Sequence, residues 1–419
     1  MTSLNKTRET SRTIGEALAA ARAVESETRG ARDAYAASGA RAAALALGVR
    51  RLASRRALLA LPVDTVLDVF VDALATSQDQ KNIDSNRVTA HFTKKIIERV
   101  LLSLHKKDKY IVVMYLLKYT YGEIMTEELW QIFMGTFNVV DDQDVINKIK
   151  TTYPWVETES IKKVAQLMVK NEDLFNRLCL DKVEMWKEFV RSGDMHVMSK
   201  LNVNAFETVA AVAVLRPSSL YRAVVAFVDQ MLGSGVVSGG AEIDGAVRWA
   251  RAGRPALLLA AHAADELAAH ARARSLALTQ VGIEEGRKAW EAGLERTRGG
   301  GWLVLAVGAS PFPRELRDFL VDLALRPAQD FSEEFCLWIV CEDREVPSMI
   351  SNLCVNVVLE SPAGVKHNAA GTLAAWREPC ADPRLARHLA CLALLHALAQ
   401  ERRAYIPLGW SAYYEWGWG

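Results

Sequence analysis

Between residues 256 and 359 the chain carries five short apolar runs: Ala256 to Ala260, Leu276 to Thr279, Trp302 to Val307, Cys336 to Cys341 and Asn356 to Leu359. Runs so continuously apolar, and so short, suit strands covered on both faces. The stretches between them, Asp265 to Arg274, Ile283 to Arg298, Pro313 to Arg326 and Ser348 to Cys354, read as helices. Strand and helix alternating in this way predict a parallel sheet with right-handed crossovers and helices on both faces. The fold class expected is α/β plus all-α, with the α/β domain over 201–365.

The rest of the chain has helical periodicity. Ile14, Leu18, Ala21, Val24 and Thr28 make a narrow apolar stripe on a long charged helix from Leu4 to about Tyr35. Gly30 and Gly39 predict a break before a second helix over Ala40 to Leu61, ended by Pro62. Residues 63–200 are richer in Lys, Ile, Met and aromatics and read as an all-helical layer closed by Gly193. In it Tyr110 to Tyr121 is a helix apolar almost all round, and Trp130, Phe133, Trp155, Trp186 and Phe189 are core anchors. The organisation expected is 1–62 long helices, 63–200 helical layer, 201–365 α/β domain and 366–419 the start of a second helical subdomain. That last part ends in Trp410, Tyr413, Tyr414, Trp416 and Trp418, an apolar surface that a chain end does not cover by itself, which predicts a truncated domain.

A chain of 419 residues exceeds the length at which one core stops growing. Its 51 Lys+Arg against 50 Asp+Glu give a net charge of +1, so no global field selects nucleic acid or an anionic membrane. Six cysteines without a Cys-x-x-Cys spacing predict reduced, buried thiols. No run reaches the length of a membrane helix and Met1 to Arg12 lacks a signal-like apolar core, so a cytosolic, soluble chain is expected.

An α/β domain prompts a search for a phosphate cradle. Gly-x-x-x-x-Gly-Lys-Ser/Thr occurs nowhere, and the Gly233 to Gly240 cluster lacks both the lysine and the hydroxyl residue. Gly299-Gly300-Gly301 precedes a strand and reads as a tight turn. Trp302 to Val307 ends in Gly308-Ala309-Ser310 without a carboxylate, while Glu342-Asp343 after the Cys336 strand reads as a solvated loop. His262 with His270, and His388 with His396, are each eight apart and lack the spacing of a helical metal site. No serine-hydrolase elbow is present. No catalytic, cofactor-binding or metal residue is assigned.

The run His396-Ala397-Leu398-Ala399-Gln400-Glu401-Arg402-Arg403, continuing through Pro407-Leu408-Gly409-Trp410 to Tyr414-Glu415, resembles the sixth AAA+ module of dynein heavy chains. Other segments agree in order. Gly301-Trp302-Leu303-Val304-Leu305 and Phe335-Cys336-Leu337-Trp338-Ile339 resemble two strands of that module, and Pro362-Ala363-Gly364 with Asn368 fits its Pro-x-Gly-x-x-x-Asn. Leu215-Arg216-Pro217 matches the entry to the module. Phe92-Thr93 with Lys106 to Lys109 resembles the helical layer before it, and Ala31-Arg32-Asp33-Ala34-Tyr35 the end of the fifth module.

The resemblance implies a non-catalytic structural segment of a dynein motor ring, from the end of module five through an AAA+ large subdomain to the start of its lid. It implies that ATP and Mg are bound by other modules and that the partners are neighbouring AAA+ modules of the same heavy chain. Through the full-length motor they extend to the microtubule and other dynein chains, with no nucleic acid and no membrane. A cytoplasmic, cytoskeletal or axonemal location follows, and the Ala-Arg-x-x-Tyr match favours the axonemal group. A free-standing scaffold and an independent NTPase are the alternatives. Interface or structural roles are expected for Arg32, Tyr35, Arg216, Pro217, Trp302, Trp338, Pro362, Gly364, Asn368, His396, Gln400, Glu401, Arg402, Arg403, Pro407, Gly409 and Trp410. The chain departs from the family at Ala260-Ala261-His262, at Ala306-Val307 and over Ala277 to Gly282, all at loops of the nucleotide edge, which suggests that polar contacts there have eroded.

Overall fold

A computed structural model describes residues 2–77, 85–136, 143–192, 195–237, 242–250, 254–260, 263–308, 310–341, 345–359, 364–376 and 382–402. The chain divides into two compact units. The first gathers residues 1–54, 61–98 and 109–237; the second gathers 55–60, 99–108 and 238–419.

The first unit is helical. It holds α1 (Thr2–Ala53), α2 (Val63–Ser77), most of α3 (Ser85–Leu101) and α4 (Lys106–Thr120), then α5 (Glu127–Met134), α6 (Gln143–Thr152) and α7 (Thr158–Lys170). It continues through α8 (Glu172–Arg177), α9 (Val183–Ser192), α10 (Ala205–Leu215) and α11 (Leu220–Leu232). Where the sequence predicts two helices broken near Gly30 and Gly39, α1 runs unbroken for 52 residues. A lone glycine costs only about 1 kcal/mol relative to Ala, and strong helix formers surround both positions. Pro62 does not end that helix either: α1 stops at Ala53, and Pro62 directly precedes α2, at a helix start that tolerates its missing N–H.

Burial in this unit follows the aromatics. Trp186 and Phe189 are fully buried, Trp155 stacks on Trp186 with ring centroids 5.7 Å apart, and Trp130 lies 4.9 Å beneath the Lys118 ammonium. Helix α4 buries Val113, Met114, Leu116 and Leu117 but leaves Ile111 exposed, so it is covered on fewer sides than its composition suggests. Helix α10 buries Phe206, Val209 to Leu215 and Glu207, and starts with a capping box in which Asn204 and Glu207 satisfy each other's backbone N–H. Gly193 lies outside the described residues.

The second unit is α/β. Its elements are α12 (Glu242–Trp249), β1 (Ala256–Leu259), α13 (Ala263–Ala273), β2 (Leu278–Gly282), α14 (Arg287–Thr297), β3 (Trp302–Gly308) and α15 (Arg314–Leu325). They are followed by β4 (Cys336–Cys341), α16 (Ser348–Ser351), β5 (Val355–Val358), α17 (Val365–Ala375) and α18 (Pro383–Arg402). Among the described residues the sheet has five strands, all parallel, in the order β2-β3-β4-β1-β5. Each apolar run foreseen in the sequence supplies one strand, within two or three residues at either end, and the order is that of an AAA+ α/β domain.

Alternation along the strands sorts the core into two layers. Leu257, Leu259, Leu303, Leu305, Leu337 and Ile339 face one side with Trp290, Leu294, Phe319 and Leu320 of α14 and α15. Ala256, Leu258, Trp302, Val304, Trp338 and Val357 face the other with Ile243 and Ala246 of α12 and Leu267 and Ala271 of α13. Gly301 makes the turn into β3 at φ 155°, where a Cβ would stand 2.9 Å from the Ala277 carbonyl oxygen. That turn admits only glycine, as the sequence reading of Gly299-Gly300-Gly301 anticipates.

Candidate nucleotide edge and interface residues

In an open parallel sheet ligands bind beyond the carboxyl ends of the strands, beside the point where the strand order reverses. Here that place is the end of β1, between β4 and β5. The described residue that follows β1 there is small and apolar. Ala260 follows β1 and donates its N–H to the Cys341 carbonyl at 2.9 Å, and β3 ends at Gly308 after a register irregularity against β4. In sequence α13 opens Ala263-Ala264-Asp265-Glu266, without the Lys and the Ser or Thr of a phosphate-binding loop. Ala261, His262, Ala309, Glu342 and Asp343 lie outside the described residues, as do Gly239 and Gly240 of the glycine cluster. Among the described residues no group of three or more His, Cys, Asp or Glu side chains could hold a metal ion.

Polar chemistry is instead concentrated on the flank of β5. Asn356, fully buried, donates from Nδ2 to the Leu58 carbonyl at 3.0 Å, to the Ser351 carbonyl at 3.1 Å and to Ser351 Oγ at 3.1 Å. Ser351 Oγ donates to the Ala57 carbonyl at 2.8 Å, and Ser103 Oγ donates to the Asn356 carbonyl at 2.9 Å. The Val358 N–H donates to the Leu102 carbonyl at 2.7 Å. Two distant pieces of chain, 57–58 and 102–103, therefore strap the sheet at β5. Backbone groups that an edge strand leaves open are satisfied within the unit. Arg99, almost wholly buried in the last turn of α3, reaches the Cys354 carbonyl at 3.4 Å, and burial lowers its pKa to about 10. Sequence reasoning missed this strap, since a lone Asn in an apolar strand is its only local sign.

The residues singled out by the motif converge in part. The Glu401 carboxylate accepts from the Gly364 N–H at 2.8 Å and from Asn368 Nδ2 at 3.4 Å, closing the N-terminus of α17 from the far end of α18. Gly364 has φ 91°, a conformation suited to glycine. One turn on, Thr372 Oγ1 lies 3.1 Å from His396 Nδ1 and donates to the Asn368 carbonyl at 2.9 Å. Burial lowers the pKa of His396, favouring the neutral ring. Gly364, Asn368, His396 and Glu401 are thus one hydrogen-bonded cluster, with Thr372 the member that the motif did not name. Gln400 and Arg402 are half-buried on the last turn of α18. Pro362, Arg403, Pro407, Gly409, Trp410 and the aromatic tail lie outside the described residues.

The other motif residues stand apart from this cluster. Trp302 and Trp338 pack against each other in the sheet core with centroids 5.1 Å apart, and Arg274, paired with Asp244, lies 5.5 Å over the Trp302 ring. Arg216 caps the end of α10 and donates to the Phe189 carbonyl at 2.7 Å, and Pro217 starts the next turn. Arg32 is exposed and pairs with its neighbour Asp33 at 3.0 Å, while Tyr35 is half-buried on the same helix. A further ion pair was not foreseen: Arg177 grips both oxygens of Glu207 at 2.9 and 2.6 Å and holds that carboxyl below its ordinary pKa. The Asn-x-x-Glu pattern at 204–207 is a readable sign of the cap, but nothing local announces Arg177. The cysteines are mixed: Cys336, Cys341 and Cys354 are buried, and burial pushes the Cys336 and Cys354 thiols well up, whereas Cys391 is exposed. His388 donates from Nδ1 to the Arg384 carbonyl at 2.8 Å within its own helix.

No protein-family model matches the chain. Over 99% of its length it is similar to cytoplasmic dynein 2 heavy chain 1, at 22% identity over 426 residues for the protein of Caenorhabditis elegans and 25% over 442 residues for that of Homo sapiens. Dynein axonemal heavy chain 3 of Mus musculus is 24% identical over 389 residues, covering 83% of the chain. The chain spans about a tenth of the length of these curated relatives. Its similarity to a segment of the dynein heavy chains runs over almost the whole length of the chain.

Proposed function

We propose that the chain is a non-catalytic structural segment of a dynein-type motor ring, running from the end of the fifth AAA+ module through the large subdomain of the sixth to the start of its small helical subdomain. The observation that carries this reading is the carboxyl edge of the sheet. The strand order is that of a nucleotide-binding AAA+ domain, yet the sequence after β1 has Ala260-Ala261 where a phosphate cradle needs glycine, lysine and a hydroxyl. A triphosphate has no grip there. Meanwhile the buried hydrogen bonds of Asn356, Ser351 and Ser103 hold the opposite flank of the sheet rigid. Rigid interfaces between two packing states are how motion is transmitted through a protein.

In this reading ATP and Mg belong to other modules, neighbouring modules of the same heavy chain are the direct partners, and microtubule movement is a property of the whole motor. The relatives matched over 99% of the chain are cytoplasmic dynein 2 heavy chains, which favours that type over the axonemal group suggested by Ala-Arg-x-x-Tyr. Isothermal titration of the purified chain with ATP and with ADP, each with Mg, tests the proposal. No saturable heat and no phosphate release are expected. Micromolar binding of either nucleotide overturns it.

A further inference from the structure

Helix α1 ends in the sequence Arg50-Arg51-Leu52-Ala53-Ser54. Arg50 and Arg51 lie in its last turn, and Ser54 lies one residue beyond it, where the chain leaves the first unit. All three side chains are exposed. Ser54 closes the helix: its N–H donates to the Arg50 carbonyl at 3.0 Å and its Oγ to the Arg51 carbonyl at 2.7 Å. An arginine three residues before a serine is the charge pattern that the acidic substrate groove of a basophilic serine kinase reads, pairing carboxylates with the guanidinium. A helix end suits such a groove, because terminal turns fray and let the segment extend. Two other serines with described side chains have arginine at this spacing. Ser219, after Arg216, is buried. Ser275, after Arg272, is held at φ 58° in the turn that leads to β2, and Arg272 Nε is engaged by the Ala268 carbonyl at 2.9 Å.

We propose that Ser54 is a phosphorylation site for a serine kinase that reads arginine three residues before its target. In the transfer Ser54 Oγ bonds the γ-phosphorus of ATP while the bond from that phosphorus to the β,γ-bridging oxygen breaks. The hydroxyl proton passes to the kinase's catalytic base, and ADP leaves. The ester oxygen so formed no longer donates to the Arg51 carbonyl. A phosphate carrying a charge of about −2 then stands at the carboxyl end of a helix, where the dipole is already negative. An exposed pair with Arg50, four residues back, is the weaker effect against a lost hydrogen bond and an adverse dipole. Phosphorylation therefore opens the last turn of α1, the turn from which Arg51 holds the Tyr119 hydroxyl at 3.0 Å. The site is independent of the carboxyl edge of the sheet.

The whole chain incubated with Mg-ATP and a purified kinase of that specificity tests it, with phosphate mapped by peptide mass spectrometry and a kinase-free control. Near-stoichiometric label on Ser54 is expected. Arg51→Gln should cut the initial labelling rate at least tenfold and Ser54→Ala should abolish the label, with circular dichroism melts confirming that both variants fold. Label absent from Ser54, label placed on Ser275 in its stead, or a rate indifferent to Arg51→Gln overturns the proposal. Hydrogen exchange reads the consequence. The amides of residues 50–54 should exchange at least threefold faster in the phosphorylated chain, with Ser54→Ala, which loses the hydrogen bond but gains no charge, in between. Exchange that is unchanged or slowed by the phosphate overturns the opening of the turn.

Discussion

The carboxyl edge of the sheet and the flank of β5 are built from different materials. At the carboxyl edge, where a nucleotide-binding domain keeps its most demanding polar groups, Ala260 follows β1 and Gly308 ends β3. At the β5 flank, where such a domain needs only apolar packing, Asn356, Ser351 and Ser103 form a buried network tied to chain more than 250 positions away. The Asn356 amide nitrogen and the Ser351 and Ser103 hydroxyls each find a carbonyl acceptor, and losing such bonds in a buried site is costly, so the network favours one arrangement of strap and strand. The contrast locates the buried polar fastening of this sheet at its β5 flank.

Substitutions can break that contrast, and the largest effect is expected at the common frame. Trp338→Ala removes a fully buried indole that packs on Trp302 and should cost about 3–5 kcal/mol, read as a shift in the urea midpoint followed by tryptophan fluorescence. Next comes the strap. Asn356→Ala leaves the Leu58 and Ser351 carbonyls without their donor and should cost about 1–3 kcal/mol in the same assay. If Asn356→Ala is neutral, the flank is not a fastening. Glu401→Ala opens the N-terminus of α17 and should cost about 1 kcal/mol, seen in the thermal midpoint. At the carboxyl edge Ala260→Ser should change stability by less than about 0.5 kcal/mol, so a large loss there contradicts the picture of an idle edge.

Acid offers a graded version of the same test. His396 has a lowered pKa in the folded chain, so the unfolded chain binds the proton first as pH falls. Its contribution is therefore fully present above the ordinary histidine value of about 6.5 and is lost as pH drops through the folded value. Thermal midpoints measured from pH 7.5 to 5 should fall on the acid side, and His396→Gln should flatten that fall. An unchanged slope places the sensitivity elsewhere.

The frame was legible in the sequence because a strand buried on both faces leaves a mark that needs no partner to be seen: Leu257 to Leu259 or Leu303 to Leu305 reads as sheet on composition alone. Break points were less legible. Gly30 and Gly39 look like ends of helices, yet each lies in open space on α1 and merely lowers local propensity. The Gly364, Asn368, His396 and Glu401 cluster could be anticipated only as a list of residues, because their spacing along the chain does not say that α18 folds back to bring Glu401 onto Gly364. Least legible of all was the β5 strap. Leu58, Leu102 and Ser103 read as ordinary helix-end residues, and their meaning depends on contacts across most of the chain.

The strap also fixes what can be cut from this protein. Asn356 and Leu58 are 298 positions apart, and Ser103 and Asn356 are 253 apart. A fragment restricted to 201–365 would contain every strand yet lack both pieces that close the last one, leaving a bare row of amides and carbonyls open to intermolecular pairing. During synthesis the early residues must likewise wait for nearly three hundred successors before their binding place exists, a long loop to close and a slow step to complete.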